Sequence, residues 1–263
     1  MYDLHSHIIP GIDDGAATLQ DALDLLKLAE AQGITHMVAT PHIHAGYFDN
    51  TPELIQVGLA QLQRAASLAG IAVKIAAAAE LRIGVEILPM LKNGTVPILG
   101  HYQQQPVILL EMPHSHLPAG YENILTFINK LGYRVMIAHP ERNRDLLVNP
   151  DRIMQLQRFG CLFQLTAASI VGSMGEAAQQ LAAYYLEKGY VTVIASDCHS
   201  VKRRPPLMAE AYDVLCRDYS PELAQQLCFT QPAAIAASLF THEPAELAPS
   251  TLTDNVVAFR GKV

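Results

Sequence analysis

The chain contains no tryptophan, only four cysteines, and fewer basic than acidic side chains, 18 Lys plus Arg against 25 Asp plus Glu. Each scarcity excludes something. The cysteines, at 161, 198, 216 and 228, form no C-x-x-C pair, so a thiolate metal cage and a redox dithiol are both ruled out. No secretory leader is recognisable at the start, and the thiols are expected to be reduced in a cytoplasmic protein. A net charge of −7 argues against a surface that holds nucleic acid by neutralising phosphates. Long apolar runs are missing as well. Stretches such as Val107 to Leu110 and Val191 to Ala195 fall far short of the roughly 20 residues a bilayer crossing needs. Direct membrane insertion is not expected, and any attachment would come through a partner.

What is present is apolar and alternating. Half of the 263 residues are hydrophobic, enough for one large core. Short β-branched or aliphatic runs are expected as strands near 2–5, 36–40, 72–79, 106–111, 133–138, 161–166 and 191–196. Helical patterns separate them near 18–32, 51–69, 84–92, 120–131, 150–158, 175–188 and 206–217. Thr18, Thr51 and Asn149 stand where helix N-caps belong, and Gly33, Gly70, Gly132, Gly160 and Gly189 where helices end. Seven such βα units predict a parallel sheet curled into a distorted (β/α)7 barrel, with its functional loops at the C-terminal mouth. Two further short helices, at 221–228 and 232–240, are expected to pack across the barrel. The domain is expected to span residues 1–240, and a loosely ordered tail residues 241–263.

Candidate ligands gather where strands give way to loops: His5, His7, Asp14, His42, Glu80, Glu111, His139, Asp197 and His199. His5 and His7 alternate as strand residues do, so both imidazoles leave one face. Glu80 and Glu111 end otherwise apolar strands, where an unpaired carboxylate would be costly and a cation is the natural partner. Asp14 is favoured over its neighbour Asp13 on motif position. Imidazole and carboxylate without thiolate suit Mn, Fe or Zn in hydrolysis. Nine ligands exceed the needs of one ion and would serve two or three, spaced about 3.5 to 4 Å apart. Such a cluster activates water and neutralises phosphate oxygens, so metal-assisted hydrolysis is the expected reaction class. His44, His114 and His116 read as polar loop residues touching solvent or substrate; His36, His101 and His242 read as structural.

These residues carry a resemblance. Asp3-Leu4-His5-Ser6-His7 with Asp13-Asp14-Gly15, Thr40-Pro41-His42, Ala79-Glu80, Leu110-Glu111, His139-Pro140-Glu141-Arg142 and Ser196-Asp197-Cys198-His199 resemble the PHP (polymerase and histidinol phosphatase) superfamily. Within it they are most similar to the manganese-dependent bacterial tyrosine-protein phosphatases of the CpsB/YwqE capsule-regulating group. The similarity runs in motif order over roughly residues 1–240. It implies a three-metal cluster: His5, His7, Glu80 and Asp197 on one ion, Glu80, Glu111 and His139 on a second, Asp14, His42 and His199 on a third. It also implies Arg142 and Arg204 as the catalytic, phosphate-holding residues, with manganese the foremost metal and iron or zinc the alternatives. The implied partner is a phosphotyrosine protein, the C-terminal tail of a membrane-bound bacterial tyrosine autokinase that controls capsular or extracellular polysaccharide. Asn143 departs from the group, where an aromatic is common, and Pro140 stands between His139 and Glu141; both departures bear on substrate contacts.

Competing readings are weaker. Cys198 and Arg204 stand in C-x5-R spacing, as in cysteine-dependent tyrosine phosphatases. No glycine lies between them and Pro205-Pro206 follows, so the phosphate-cradling turn and helix N-terminus are lacking. A small-metabolite phosphoesterase, acting on histidinol phosphate, a nucleotide or a sugar phosphate, would use the same cluster but longer loops. An amidohydrolase would leave the two arginines without a purpose, as would a non-catalytic metal-binding module.

Overall fold

Short apolar strands alternating with amphipathic helices satisfy their backbones by pairing in parallel with the helices outside, and that principle sets this architecture. The computed structural model describes residues 1–241; the expected tail, His242 included, lies outside the described residues from 242 onward. The strands are β1 (Tyr2–Ser6), β2 (His36–Ala39), β3 (His42–Ile43), β4 (Lys74–Ala77), β5 (Glu80–Arg82), β6 (Gly100–Tyr102), β7 (Gln105–Glu111), β8 (Arg134–Ala138), β9 (Leu162–Thr166) and β10 (Val193–Ala195). The helices are α1 (Leu19–Ala31), α2 (Pro52–Leu68), α3 (Leu88–Asn93), α4 (Tyr121–Lys130), α5 (Arg144–Val148), α6 (Ile153–Gln157), α7 (Ala167–Ile170), α8 (Glu176–Glu187), α9 (Met208–Asp218), α10 (Pro221–Gln225) and α11 (Gln231–Phe240).

Two of the seven expected strands are broken in the middle. Pro41 carries no N–H, so the second strand stops at Ala39 and resumes at His42. The third breaks beside it between Ala77 and Glu80, with the Glu80 amide donating to the Pro41 carbonyl at 3.1 Å. With β2–β3 and β4–β5 each counted as one position, parallel ladders run β1, β2–β3, β4–β5, β7, β8, β9, β10. The ring returns to its start through backbone bonds from the Asp197 amide to the His5 carbonyl, 2.8 Å, and from the His7 amide to the Cys198 carbonyl, 2.9 Å. These seven positions are the expected distorted (β/α)7 barrel.

The interior of that ring is apolar toward its N-terminal end. Leu4, Val38, Leu109, Met136 and Val193 come from five different strand positions and share one buried cluster with Ile235 and Ala236 of α11. Only inward-facing residues could meet in this way, so α11 is the plug of the barrel floor. Gly100 lets it close: with φ at +119°, an added Cβ would lie 2.0 Å from the Ile235 carbonyl oxygen. A second and larger apolar layer, including Leu25, Leu62, Leu125, Ile137 and Tyr185, lies between the outer helices and the strands.

Several element boundaries depart from the sequence expectation. The helix expected at 84–92 begins as a 3-10 turn, Val85–Ile87, before α3. The antiparallel pair β6–β7 was not foreseen, nor was α7. Helices α10 and α11 are joined by a π-helical turn, Gln226–Thr230, and so form one continuous run. Thr18 and Thr51 cap their helices, accepting from the Asp21 and Leu54 amides. Asn149 does not cap: Pro150 opens a 3-10 turn there, and Asn143 caps α5 by accepting from the Asp145 and Leu146 amides.

Candidate metal centre

All nine candidate ligands lie at the C-terminal mouth, because each follows or ends a parallel strand. The strand period places several of them. Val107, Leu109 and Glu111 share one face of β7, and Ala78 and Glu80 one face across the β4–β5 break, so each carboxylate stands above the apolar floor. On β1 the register against β2 shifts between Asp3 and Ser6. That bulge lets Leu4 enter the floor cluster while His5 and His7 reach the centre above it. His139 and Asp197 adopt positive φ, 34° and 51°, one and two residues after β8 and β10. Such backbone costs on the order of 1–3 kcal/mol per residue where no glycine relieves it, and here it turns two strand ends inward.

Glu80 is the hub. It is fully buried; its Oε2 lies 3.2 Å from His5 Nε2, 3.4 Å from His7 Nε2 and 3.0 Å from His42 Nδ1, and its Oε1 2.9 Å from His139 Nε2. His5 Nε2 and His7 Nε2 stand 3.2 Å apart, each 3.4 Å from Asp197 Oδ1. Asp14 Oδ1 lies 3.3 Å from His199 Nε2 and 3.5 Å from His42 Nε2.

Four sets offer one atom per residue within 4.8 Å of one another: His7, Asp14, His42 and His199; His5, His7 and Glu80; His5, His139 and Asp197; His42, Glu80 and Glu111. The grouping differs from the implied one in detail, since Glu111 falls beside His42 and His139 beside His5 and Asp197. His42 faces two ways, one ring nitrogen toward Glu80 and the other toward Asp14.

The chemistry of these atoms fits cations. Among the described residues Glu80 Oε2 and His42 Nδ1, both buried, have no hydrogen-bond partner, a costly state for an oxygen that three imidazoles surround unless a cation sits among them. Burial alone would push the Glu80 and Asp197 carboxyls up, but His5 and the other groups around them hold both well below the usual range. Burial and the Arg142 charge lower His139 to about 3, leaving it the neutral imidazole that a metal requires. Glu111 is pushed up by burial and by Glu80, while Arg82, 2.8 Å from its Oε2, counters both.

Arg142 and Arg204 approach from two different loops, those after β8 and β10, and both bond Asp197 Oδ2. Their other guanidinium nitrogens reach His114 Nε2 at 2.8 Å and His199 Nε2 at 3.0 Å. Two forks thus border a cleft of about 150 Å³ whose floor is the ligand cluster.

Comparison with known proteins gives the family. The family described as "Capsular polysaccharide synthesis, CpsB/CapC" matches residues 1–237. The chain belongs to the CpsB/CapC family. It is 32% identical over 227 residues to the tyrosine-protein phosphatase YwqE of Bacillus subtilis, covering 86% of this chain and 88% of that one. The tyrosine-protein phosphatase CpsB of Streptococcus pneumoniae is 30% identical over 241 residues, 89% and 98% of the two chains. A crystal structure from work on YwqE and CpsB, described there as unique metal-dependent tyrosine phosphatases, superimposes with a TM-score of 0.84 at 29% identity, over 95% of this chain and all of that one. A Listeria monocytogenes lactonase, 12% identical with a TM-score of 0.56, shares the fold alone.

Within this CpsB/CapC chain, sequence reasoning missed the residues that hold the candidate ligands in place. Asp13 Oδ2 accepts from His7 Nδ1 at 2.7 Å and from the His42 amide at 3.2 Å, so it orients two candidate ligands at once. Gly15 permits the approach of that loop, since a Cβ would meet the His7 carbonyl oxygen at 2.1 Å. Gln164 Oε1 accepts from His5 Nδ1 at 2.9 Å; a lone amide within the apolar run Leu162-Phe163-Gln164-Leu165 was the available signal. Glu141 braces the turn after His139, accepting from the Thr166 amide at 2.9 Å and Ser169 Oγ at 2.8 Å. Asn143, read from sequence as bearing on substrate, is buried and tied to the Pro113 and His116 carbonyls, at 2.7 and 3.1 Å. Cys198 is fully buried, which pushes its thiol up to about 12, the opposite of a nucleophile's environment.

Proposed function

We propose that the chain is a metal-dependent protein-tyrosine phosphatase of capsular or extracellular polysaccharide synthesis, in which His5, His7, Asp14, His42, Glu80, Glu111, His139, Asp197 and His199 hold two or three divalent cations. The observation that carries the reading is Glu80: one buried carboxylate oxygen among His5, His7 and His42 with no hydrogen-bond partner among the described residues. Membership of a family whose relatives are tyrosine-protein phosphatases supports the substrate class. Manganese is the proposed metal, with iron or zinc the alternatives, on a donor set of imidazole and carboxylate without thiolate.

Bound cations would supply an activated water and positive charge facing the phosphoryl oxygens. The chain supplies the rest. Arg142 and Arg204 flank the cleft as two permanently charged forks, able to take the non-bridging oxygens and to orient the phosphoryl group for in-line displacement. Asp197 holds both guanidiniums in place while presenting its other oxygen to His5 and His7. The leaving tyrosyl oxygen has a pKa of about 10, so strong acid assistance is dispensable. The proposed substrate is a phosphotyrosine segment of a membrane-bound bacterial tyrosine kinase, met from the cytoplasm; among the described residues no helix is long and apolar enough to cross a membrane.

The test compares turnover by metal-replete protein of a phosphotyrosine peptide, a phosphoserine peptide, histidinol phosphate and a nucleotide, each with EDTA and with iodoacetamide. Phosphotyrosine turnover that EDTA abolishes and iodoacetamide leaves standing is expected. A large preference for a small metabolite would remove the substrate assignment, and the reverse inhibitor pattern would remove the metal chemistry.

A further inference from the structure

His114 stands among the candidate ligands without being one of them. It lines the cleft above the cluster and stacks on His139, ring centroids 5.6 Å apart at 18°. Yet it enters none of the four candidate ligand sets among the described residues. Its bonding accounts for this. Arg142 Nη2 lies 2.8 Å from His114 Nε2. A guanidinium only donates, so that ring nitrogen is the acceptor and the imidazole is neutral, with its proton on Nδ1. One nitrogen is then committed to Arg142 and the other to a proton, and neither keeps a lone pair for a cation.

The backbone around this pair is fixed. Four hydrogen bonds tie the segment after β7 to the start of α5. Asn143 Nδ2 donates to the Pro113 and His116 carbonyls, at 2.7 and 3.1 Å, the Arg144 amide to the His114 carbonyl at 2.8 Å, and the Leu117 amide to Asp145 Oδ2 at 3.0 Å. Asn143 and Arg144 directly follow Arg142 in the chain, so the bonds that seat His114 come from the neighbours of the arginine it holds. A half-exposed loop side chain is thereby kept in register with one guanidinium. That guanidinium needs a second anchor. Asp197 Oδ2 is shared by Arg142 and Arg204, and one oxygen lets a planar fork pivot. Arg204 has His199 Nε2 as its other partner, at 3.0 Å, and Arg142 has His114.

We propose that His114 is a positioning residue, whose Nε2 lone pair fixes the plane of the Arg142 guanidinium beside the phosphoryl site. The inference rests on the phosphatase reading, with Arg142 as a phosphate-holding fork, and extends it by one residue. A fork held at two points has less freedom to lose when it meets a phosphate than a fork held at one.

The test compares His114→Ala, which deletes the acceptor, with His114→Gln, whose amide oxygen can stand in for Nε2. The dissociation constant of inorganic phosphate is measured by calorimetry on the metal-replete full chain, beside kcat/KM for a phosphotyrosine peptide and metal content by plasma mass spectrometry. His114→Ala should weaken phosphate binding and lower kcat/KM about 10- to 100-fold, the scale of a hydrogen bond to a charged group, with metal content unchanged. His114→Gln should recover most of both. In an Arg142→Ala background, His114→Ala should cost nothing further. A dissociation constant does not scale with the folded fraction, so a less stable variant still reports it. Unchanged phosphate affinity in His114→Ala, a glutamine variant as impaired as the alanine one, an equal loss without Arg142, or a loss matched by missing metal would each overturn the assignment. The phosphatase reading fails separately: an unsubstituted protein that binds phosphate but leaves the phosphotyrosine peptide intact removes that reading, while the phosphate constants still decide the role of His114.

Discussion

The floor and the mouth of this barrel are built from the same strands a few residues apart. At the floor, Leu4, Val38, Leu109, Met136 and Val193 meet Ile235 and Ala236 of the plugging helix, all buried and all apolar. One step further along the same inward faces stand Glu80, Glu111 and Asp197, as deeply buried yet charged. The floor gains free energy by leaving water, about 1.5–3 kcal/mol for each large side chain. The mouth loses it, and a buried carboxylate is tolerable only where cations, arginines or imidazoles answer its charge. Stability and chemistry are therefore stacked along one axis, and substitutions at the two levels should separate them.

The largest effect on turnover is expected at the hub. Glu80→Gln keeps the shape of the side chain but removes the charge that His5, His7, His42 and His139 converge on. Phosphatase activity should fall on the order of 10³-fold or more, given the share of catalysis that preorganised charge supplies. Metal content measured by plasma mass spectrometry should fall with it. A variant that retains full metal content and activity would show that the mouth does not need its central carboxylate.

Next come the two forks. Arg204→Lys keeps the charge and loses the bidentate geometry, and kcat/KM should drop by about 10² while metal content stays unchanged. Arg142→Lys should act likewise. The double variant should cost less than the product of the two, because both side chains share Asp197 Oδ2 and residues acting as a unit are non-additive. Strict multiplicativity would argue that the arginines serve separate purposes.

The contrast between floor and mouth was partly legible in the sequence. Period two put Glu111 on the face of Val107 and Leu109, and an ionisable residue ending an apolar strand announced the level at which the lining changes. The order of βα units followed from hydrophobic pattern and capping, as Thr18 and Thr51 show. What stayed hidden depends on partners distant in the chain. Gln164 meets His5 across 159 positions, and no local pattern encodes that meeting. The bulge in β1 arises from register against β2, so simple alternation cannot anticipate that Leu4 and His5 both serve the interior. Asn143 misled because its motif neighbours His139 and Arg142 line the cleft, whereas its own amide is consumed by a helix cap and two carbonyls.

A smaller effect is expected one layer behind the ligands. Gln164 Oε1 takes the Nδ1 proton of His5 and so keeps the Nε2 lone pair directed at the centre. Gln164→Leu should weaken metal binding about 10- to 100-fold, the usual cost of losing such a partner, measured by calorimetric titration of the apo protein. At saturating metal most of kcat should return. Failure of excess metal to restore it would mean that Gln164 acts on the substrate and not through His5.

The smallest effect on turnover, and the largest on stability, belongs to the floor. Ile235 is buried at 1% exposure in the plug, within the apolar cluster and remote in the fold from the ligands. Ile235→Ala should cost about 2–5 kcal/mol of unfolding free energy through lost burial and an unfilled cavity, read as a lower denaturant midpoint with unchanged slope. The kcat of the folded fraction should not move, since strands and backbone bonds fix the mouth independently of the plug. If kcat fell in step with the midpoint, floor and mouth would be mechanically coupled, and the packing of α11 would have to be counted among the determinants of ligand geometry.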